Sequence, residues 1–337
     1  MSRASRARRI AVTAAYGGGG LGLLTAGAFG LVRAETALAR RAIGVTDIVT
    51  PSADGLHGRH HRGEPIRFAL LGDSSAVGYG VERAEQTPGV MLAAGLAECA
   101  DRPVHATCVA AVGARSGDLD AQVDRLPDGP LDVAVIMIGA NDVTHRVRPA
   151  TAVRQLDQAV RRLRDRGAQV VVGTCPDLGT VEPVPQPLRW VARRWSRQLA
   201  AAQTIVVVEA GGRTVSLGDI LGPEFAASPT EMFGPDRFHP SALGYASAAA
   251  ALLPSVCAAL DVWPDDERLP QPARGDAVRP IAQAAAEAVD APGTEVAAAE
   301  VAGSTRGPRG RWALLRHRRR RPVRDVQAAA AEDAGSD

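Results

Sequence analysis

Apolar residues along this chain fall into two kinds of run. Short, nearly continuous aliphatic stretches occur at Ile66 to Leu71, Val104 to Val109, Val133 to Ile138, Val170 to Val172 and Ile205 to Val208. Strands buried on both faces have this character, because each pleat face must be apolar. Between them lie stretches with helical spacing. Residues 88–100 are rich in Ala and Leu, and 151–166 place Val153, Leu156, Val160 and Leu163 on one face with arginines opposite. Residues 187–202 and 243–260 are further helical candidates. Strands alternating with helices predict βαβ units, and right-handed crossovers fold those into a three-layer α/β/α sandwich around a parallel sheet. Chemistry on such a sheet gathers at the carboxyl ends of the strands, just after each apolar run.

The flanks read differently. Arg3, Arg6, Arg8 and Arg9 precede an uncharged stretch from Ile10 to Val32, long enough to cross a bilayer as a helix. Positive charge ahead of it favours an N-terminus inside the cell. Residues 1–44 are therefore expected to be a signal or anchor that places the α/β domain outside the cytoplasm, at the membrane or secreted. Residues 45–65, with Pro51 and several glycines, read as a linker. Residues 66–262 read as the α/β domain, and 263–337, dominated by Ala, Pro, Glu and Arg, as a disordered tail.

Composition changes this picture in three places. All 39 basic residues are arginine, and asparagine occurs once, at Asn141, so that residue carries unusual information. The basic stretch 306–324 could meet nucleic acid or anionic lipid, but it reads as a solvated tail and no nucleic-acid partner is expected. The four cysteines form no CxxC pair, and the linker histidines His57, His60 and His61 have no acidic or thiol partner at ligand spacing, so no metal site is expected. A disulfide stays open for a domain outside the cytoplasm, beside the alternative of buried free thiols.

Four segments carry candidate chemistry. Gly72-Asp73-Ser74-Ser75 follows the first run, where a strand-to-helix turn would lift a Ser hydroxyl above the sheet and aim backbone N–H groups at an oxyanion. Gly113-Ala114-Arg115-Ser116-Gly117-Asp118 follows the second, with glycines that let backbone approach a reacting carbonyl. Gly139-Ala140-Asn141-Asp142 follows the third and supplies an amide donor. Asp236-Arg237-Phe238-His239-Pro240 precedes the last helix and pairs an imidazole base with a carboxylate that can orient it. Pro240 suits the first position of that helix.

In this order and spacing, the four segments resemble the blocks of the SGNH (GDSL-type) hydrolase superfamily over roughly residues 66–260. The resemblance implies a flavodoxin-like sheet of five parallel strands and a serine esterase that needs no cofactor. It implies Ser74 as nucleophile, His239 as base and Asp236 as its partner. The oxyanion hole would be formed by the Ser74 and Gly117 N–H groups and the Asn141 side chain. Two details are open: Ser75 stands where many members have Leu and rivals Ser74, and Gly113 rivals Gly117. The Arg-rich, membrane-anchored layout is similar to exported esterases of mycobacteria and related actinobacteria. A short-chain acyl ester is the expected substrate. Alternatives are an acyltransferase or deacetylase on envelope glycans or glycolipids, and a non-catalytic envelope binding module. The Pro-rich loop from Thr174 to Pro187, with Trp190 and Trp195 beyond it, could wall the substrate site or simply cover a surface helix.

Overall fold

The computed structural model describes residues 50–262. Expectations for the anchor, the tail and residues 45–49 lie outside the described residues. In chain order the elements are β1 (Gly55–His57), β2 (Ile66–Gly72), α1 (Ser74–Val77), α2 (Pro88–Ala100), β3 (Val104–Cys108), α3 (Leu119–Asp124) and β4 (Val133–Met137). Then come α4 (Ala140–Thr144), α5 (Pro149–Asp165), β5 (Gln169–Gly173), α6 (Leu188–Glu209), β6 (Arg213–Val215), α7 (Leu217–Ala227), α8 (Pro229–Met232) and α9 (Ala242–Ala259).

The sheet runs β1-β3-β2-β4-β5-β6. Strands β2 to β6 are parallel, with Ile66 beside Val104, Leu71 beside Ile136 and Gly173 beside Val215. Alternate residues of each strand enter opposite cores. Phe68, Leu70, Val133 and Val135 pack with Leu92 and Leu96 of α2 and Leu252 and Val256 of α9. Ala69, Leu71, Ala134 and Ile136 pack with Leu119 of α3 and with Leu156, Val160 and Leu163 of α5. This two-sided burial is why the strands read as continuous apolar runs, and the expected three-layer α/β/α architecture is present.

Two expectations about the sheet need correction. Ile205 to Val208 is not a strand; it forms the last turn of α6, with Val207 fully buried. Four aliphatic residues with no break before them extend the amphipathic helix rather than start a new element. The chain turns at Gly211, where φ is +81°, and the fifth parallel strand is the short Arg213–Val215. Its sequence, Arg-Thr-Val, has no apolar run to announce it. Likewise, the segment expected as a linker is structured from residue 50 onward. Gly55–His57 pairs antiparallel with β3, and the Asp54 carboxylate accepts a bond from the Cys108 N–H at 2.6 Å.

Among the described residues, α9 alone has the length and apolarity to cross a membrane, but two-thirds of it is buried as a core helix. The four cysteines are free thiols.

Candidate active site

The turn after β2 is set by backbone sterics. Gly72 has φ of +137°, and a Cβ there would lie 1.9 Å from the Met137 carbonyl oxygen on β4. Only glycine permits that approach. The Gln122 side chain brackets the same residue, accepting from the Gly72 N–H and donating to the Gly72 carbonyl, both at 2.8 Å. Asp73 donates its N–H to the Met137 carbonyl at 3.0 Å, and its carboxylate caps α1 by accepting from the Ser75 N–H at 2.9 Å. Helix α1 then lasts one turn and ends at Gly78 in the left-handed conformation. The Tyr245 hydroxyl of α9 donates to the Tyr79 carbonyl at 2.8 Å and holds the exit. Ser74 is thereby fixed as the first helical residue, and its N–H has no acceptor among the described residues.

The second arm is a compact loop before α9. The Asp236 Oδ1 accepts from the Phe238 and His239 N–H groups, each at 3.0 Å. Its Oδ2 lies 2.6 Å from His239 Nδ1, and His239 Nε2 lies 3.0 Å from Ser74 Oγ. Burial alone would raise the Asp236 carboxyl. The His239 imidazole and the two N–H groups outweigh it and hold the carboxyl below its usual range. The Tyr79 ring packs 4.6 Å from the imidazole and Phe238 5.0 Å from it. Helix α9 starts at Ala242 with Ser241 as its cap, two residues later than Pro240 suggested.

The third arm is the start of α4. The Asn141 amide donates one hydrogen to the Ala114 carbonyl at 3.1 Å, leaving its second hydrogen free to turn toward the cleft. Asp142 accepts from the Ser116 N–H at 3.1 Å and the Ser116 hydroxyl at 2.9 Å, tying the 113–118 loop to α4. Burial raises the Asp142 carboxyl and the Ser116 bonds oppose that rise.

Ser74, His239, Asp236 and Asn141 thus meet at one rim, and Ser74 rather than Ser75 faces the imidazole. Gly117, the expected second donor, lies in the same loop. A Cβ there would lie 2.9 Å from the Gln155 Nε2, so it is packed against α5. Gly113 has φ of +80° with open space around it, one residue before the carbonyl that Asn141 touches.

An apolar cleft opens beside Ser74. Leu178 and Val181 from the loop after β5, Leu221 of α7, and Phe225, Phe233 and Phe238 line it. Three of the chain's five phenylalanines therefore stand here. This wall escaped sequence reasoning because its residues sit in helices and loops with no motif around them. Its one signal was the clustering of scarce aromatics between 225 and 238. The loop is anchored by Asp177, which is buried and pairs with Arg193 at 3.3 Å and Arg197 at 3.1 Å. Trp190 and Trp195 do not line the cleft; they are exposed on α6, with the Arg194 guanidinium 6.0 Å above the Trp190 ring.

Known proteins resemble this chain over the same region. The model of the GDSL-like lipase/acylhydrolase family matches residues 70–247. GDSL-like esterase Rv1075c of Mycobacterium tuberculosis is 44% identical over 239 residues, which is 67% of this chain and 76% of that protein. Among solved structures, a lipase/acylhydrolase from Enterococcus faecalis aligns over 55% of this chain and 92% of its own, at 20% identity and a TM-score of 0.43. LAE5, an alpha/beta hydrolase enzyme from the metagenome of Lake Arreo, aligns over 58% and 95%, at 19% identity and 0.46.

Proposed function

Because the chain belongs to the GDSL-like lipase/acylhydrolase family and is a serine esterase, we propose that Ser74 is its nucleophile, with His239 as general base and Asp236 as the group that orients His239. The observation that carries this is the continuous chain of short contacts, 3.0 Å from Ser74 Oγ to His239 Nε2 and 2.6 Å from Nδ1 to Asp236, at the mouth of an apolar cleft.

In this mechanism the ionised Asp236 keeps the Nδ1 proton, so Nε2 is free to accept from Ser74. Ser74 Oγ attacks the ester carbonyl carbon as its proton passes to His239. The developing oxyanion meets the Ser74 N–H, the free hydrogen of Asn141 and the Gly113 N–H, which replaces Gly117 in this role. His239 returns its proton to the departing alcohol, leaving an acyl-enzyme. Water, deprotonated by His239, then attacks that ester and releases the acid. The phenylalanine wall supports an apolar acyl group of short to moderate length. The Arg-rich start and the apolar stretch from Ile10 to Val32 support membrane attachment with the domain outside the cytoplasm. Fractionation of cells expressing the full chain, with protease added outside, checks that placement.

A panel of p-nitrophenyl esters of increasing acyl length tests the reaction. Wild type should hydrolyse them with a length optimum, and Ser74→Ala should lose at least ~10³-fold in kcat. Undiminished hydrolysis by Ser74→Ala would remove Ser74 from the mechanism.

A further inference from the structure

At the opposite end of α2, the segment after β1 folds back onto the domain. Gly58 has φ of +63° and sits so close to the helix that a Cβ there would lie 2.4 Å from the Ala97 Cβ. A tight turn follows, closed by the His61 N–H donating to the Gly58 carbonyl at 3.0 Å. It brings His60 and His61 over Glu98 in the last turn of α2 and Asp101 just beyond it.

Two imidazoles converge on one carboxylate oxygen in this cluster. His61 Nδ1 is 2.7 Å from Asp101 Oδ1, so in the neutral imidazole Nδ1 carries the proton and Nε2 presents a lone pair. Nε2 is buried, its side chain is 10% exposed, and it has no hydrogen-bond partner. It lies 3.3 Å from Glu98 Oε1, an ion pair when the imidazole is protonated and two facing acceptors when it is neutral. His60 Nε2 lies at the same 3.3 Å from Glu98 Oε1. The three atoms all fall within 4.8 Å of one another.

We infer that His60, His61 and Glu98 form a binding site for a divalent transition-metal ion, with zinc the best match. Two imidazoles and one carboxylate are a suitable donor set for Zn²⁺. Ligands about 2.0–2.1 Å from a tetrahedral zinc stand roughly 3.3 Å apart, which is the spacing from Glu98 to both imidazoles. Asp101 supplies the outer carboxylate that fixes a ligating imidazole in its tautomer. The carbonyl dipoles at the end of α2 add favourable potential for a cation. Sequence reading passed over the site because Glu98 is nearly forty residues from His60 and is brought there only by the Gly58 turn.

The site is structural rather than catalytic. Helix α2 begins beside Gly78, just after Ser74, and its 13 residues span about 20 Å. Metal bound at its far end would clamp the edge strand β1, where the chain arrives from its N-terminal part, onto the hydrolase core.

The test uses the full chain without a histidine tag, stripped with a chelator and titrated with ZnCl₂. One zinc per chain is expected by elemental analysis after dialysis. The thermal midpoint should rise by roughly 5–10 °C at a hundredfold excess over Kd. Esterase turnover should not change. His60 and Glu98 are exposed, with side chains 68% and 64% accessible, so His60→Ala and Glu98→Gln should fold normally and lose both the zinc and the shift. No shift in wild type, or a shift that survives both substitutions, would overturn the site. Loss of esterase activity on zinc addition would also count against it, by placing the ion at His239.

Discussion

Two arms bring Ser74 and the Asp236–His239 pair together, and they are built in opposite ways. The Ser74 arm depends on backbone packed between distant strands: Gly72 against Met137, and Gln122 bracketing Gly72 from α3. The His239 arm is nearly self-contained. Asp236 binds the N–H groups two and three residues ahead, the Gly234 N–H returns to the His239 carbonyl at 2.8 Å, and Phe233 bridges Pro240. The first arm should therefore fail by losing the fold, and the second by losing the reaction while the fold survives.

The largest effect should come from the local arm. Asp236→Asn keeps a side chain that can accept from both N–H groups but removes the charge that fixes the His239 tautomer. A loss of roughly 10⁴-fold in kcat is expected, with the thermal midpoint nearly unchanged. Steady-state kinetics beside a melting curve separate the two. A loss below tenfold would show that Asp236 only shapes the loop.

Gly72→Ala should do the reverse. A methyl group 1.9 Å from the Met137 carbonyl oxygen has to push two central strands apart. Destabilisation of ~4 kcal/mol or more is expected, read from the urea midpoint of the Ser74→Ala background, where activity plays no part. If the Gly72→Ala variant melts within about 1 kcal/mol of its parent, the distant arm is softer than its contacts imply.

The same contrast governs what could be read from sequence. The Asp236–His239 pair was legible as a four-residue pattern because its geometry is local. The long strands were legible because burial on both faces makes them apolar throughout. Strand β6 was not, since three residues of Arg-Thr-Val owe their extended form to pairing with β5, while the more apolar run before them finishes a helix. Sequence alone leaves Gly113 and Gly117 as rivals for the second donor. Both suit a close approach, and only the position of Gln155 on α5 shows which face is closed. The phenylalanine wall and Gln122 belong to the same class, being defined by contacts across the fold.

Between the arms stands the proposed oxyanion hole. Asn141→Ala should lower kcat by roughly 10²–10³-fold, about 3 kcal/mol, with KM little changed. Gly113→Ala should also act on kcat, whereas Gly117→Ala should act on stability through Gln155. A kcat defect in Gly117→Ala with Gly113→Ala unaffected would restore the assignment made from sequence.

The smallest expected effect sharpens the comparison most, because it lies where the two arms touch. Asp73 is buried beside Ser74, and that burial pushes its carboxyl up to about 6, with the Ser75 bonds and the His239 imidazole pulling the other way. In the unfolded chain it ionises near 3.8, so the folded protein holds a proton that the unfolded chain has already released. The ionised form is thus the one that folding disfavours. Stability should fall as pH rises from about 4 to about 6 and stay level above that. The full penalty corresponds to about 3 kcal/mol. Asp73→Asn removes the titration and keeps an oxygen to cap α1, though a neutral amide caps a helix start less favourably than a carboxylate. A net gain on the order of 2 kcal/mol is expected at pH 8, fading to nothing below pH 4. Urea melts of both proteins across that range decide it. A gain that is the same at pH 4 and pH 8 would mean that packing, and not the buried charge, limits the stability of the Ser74 turn.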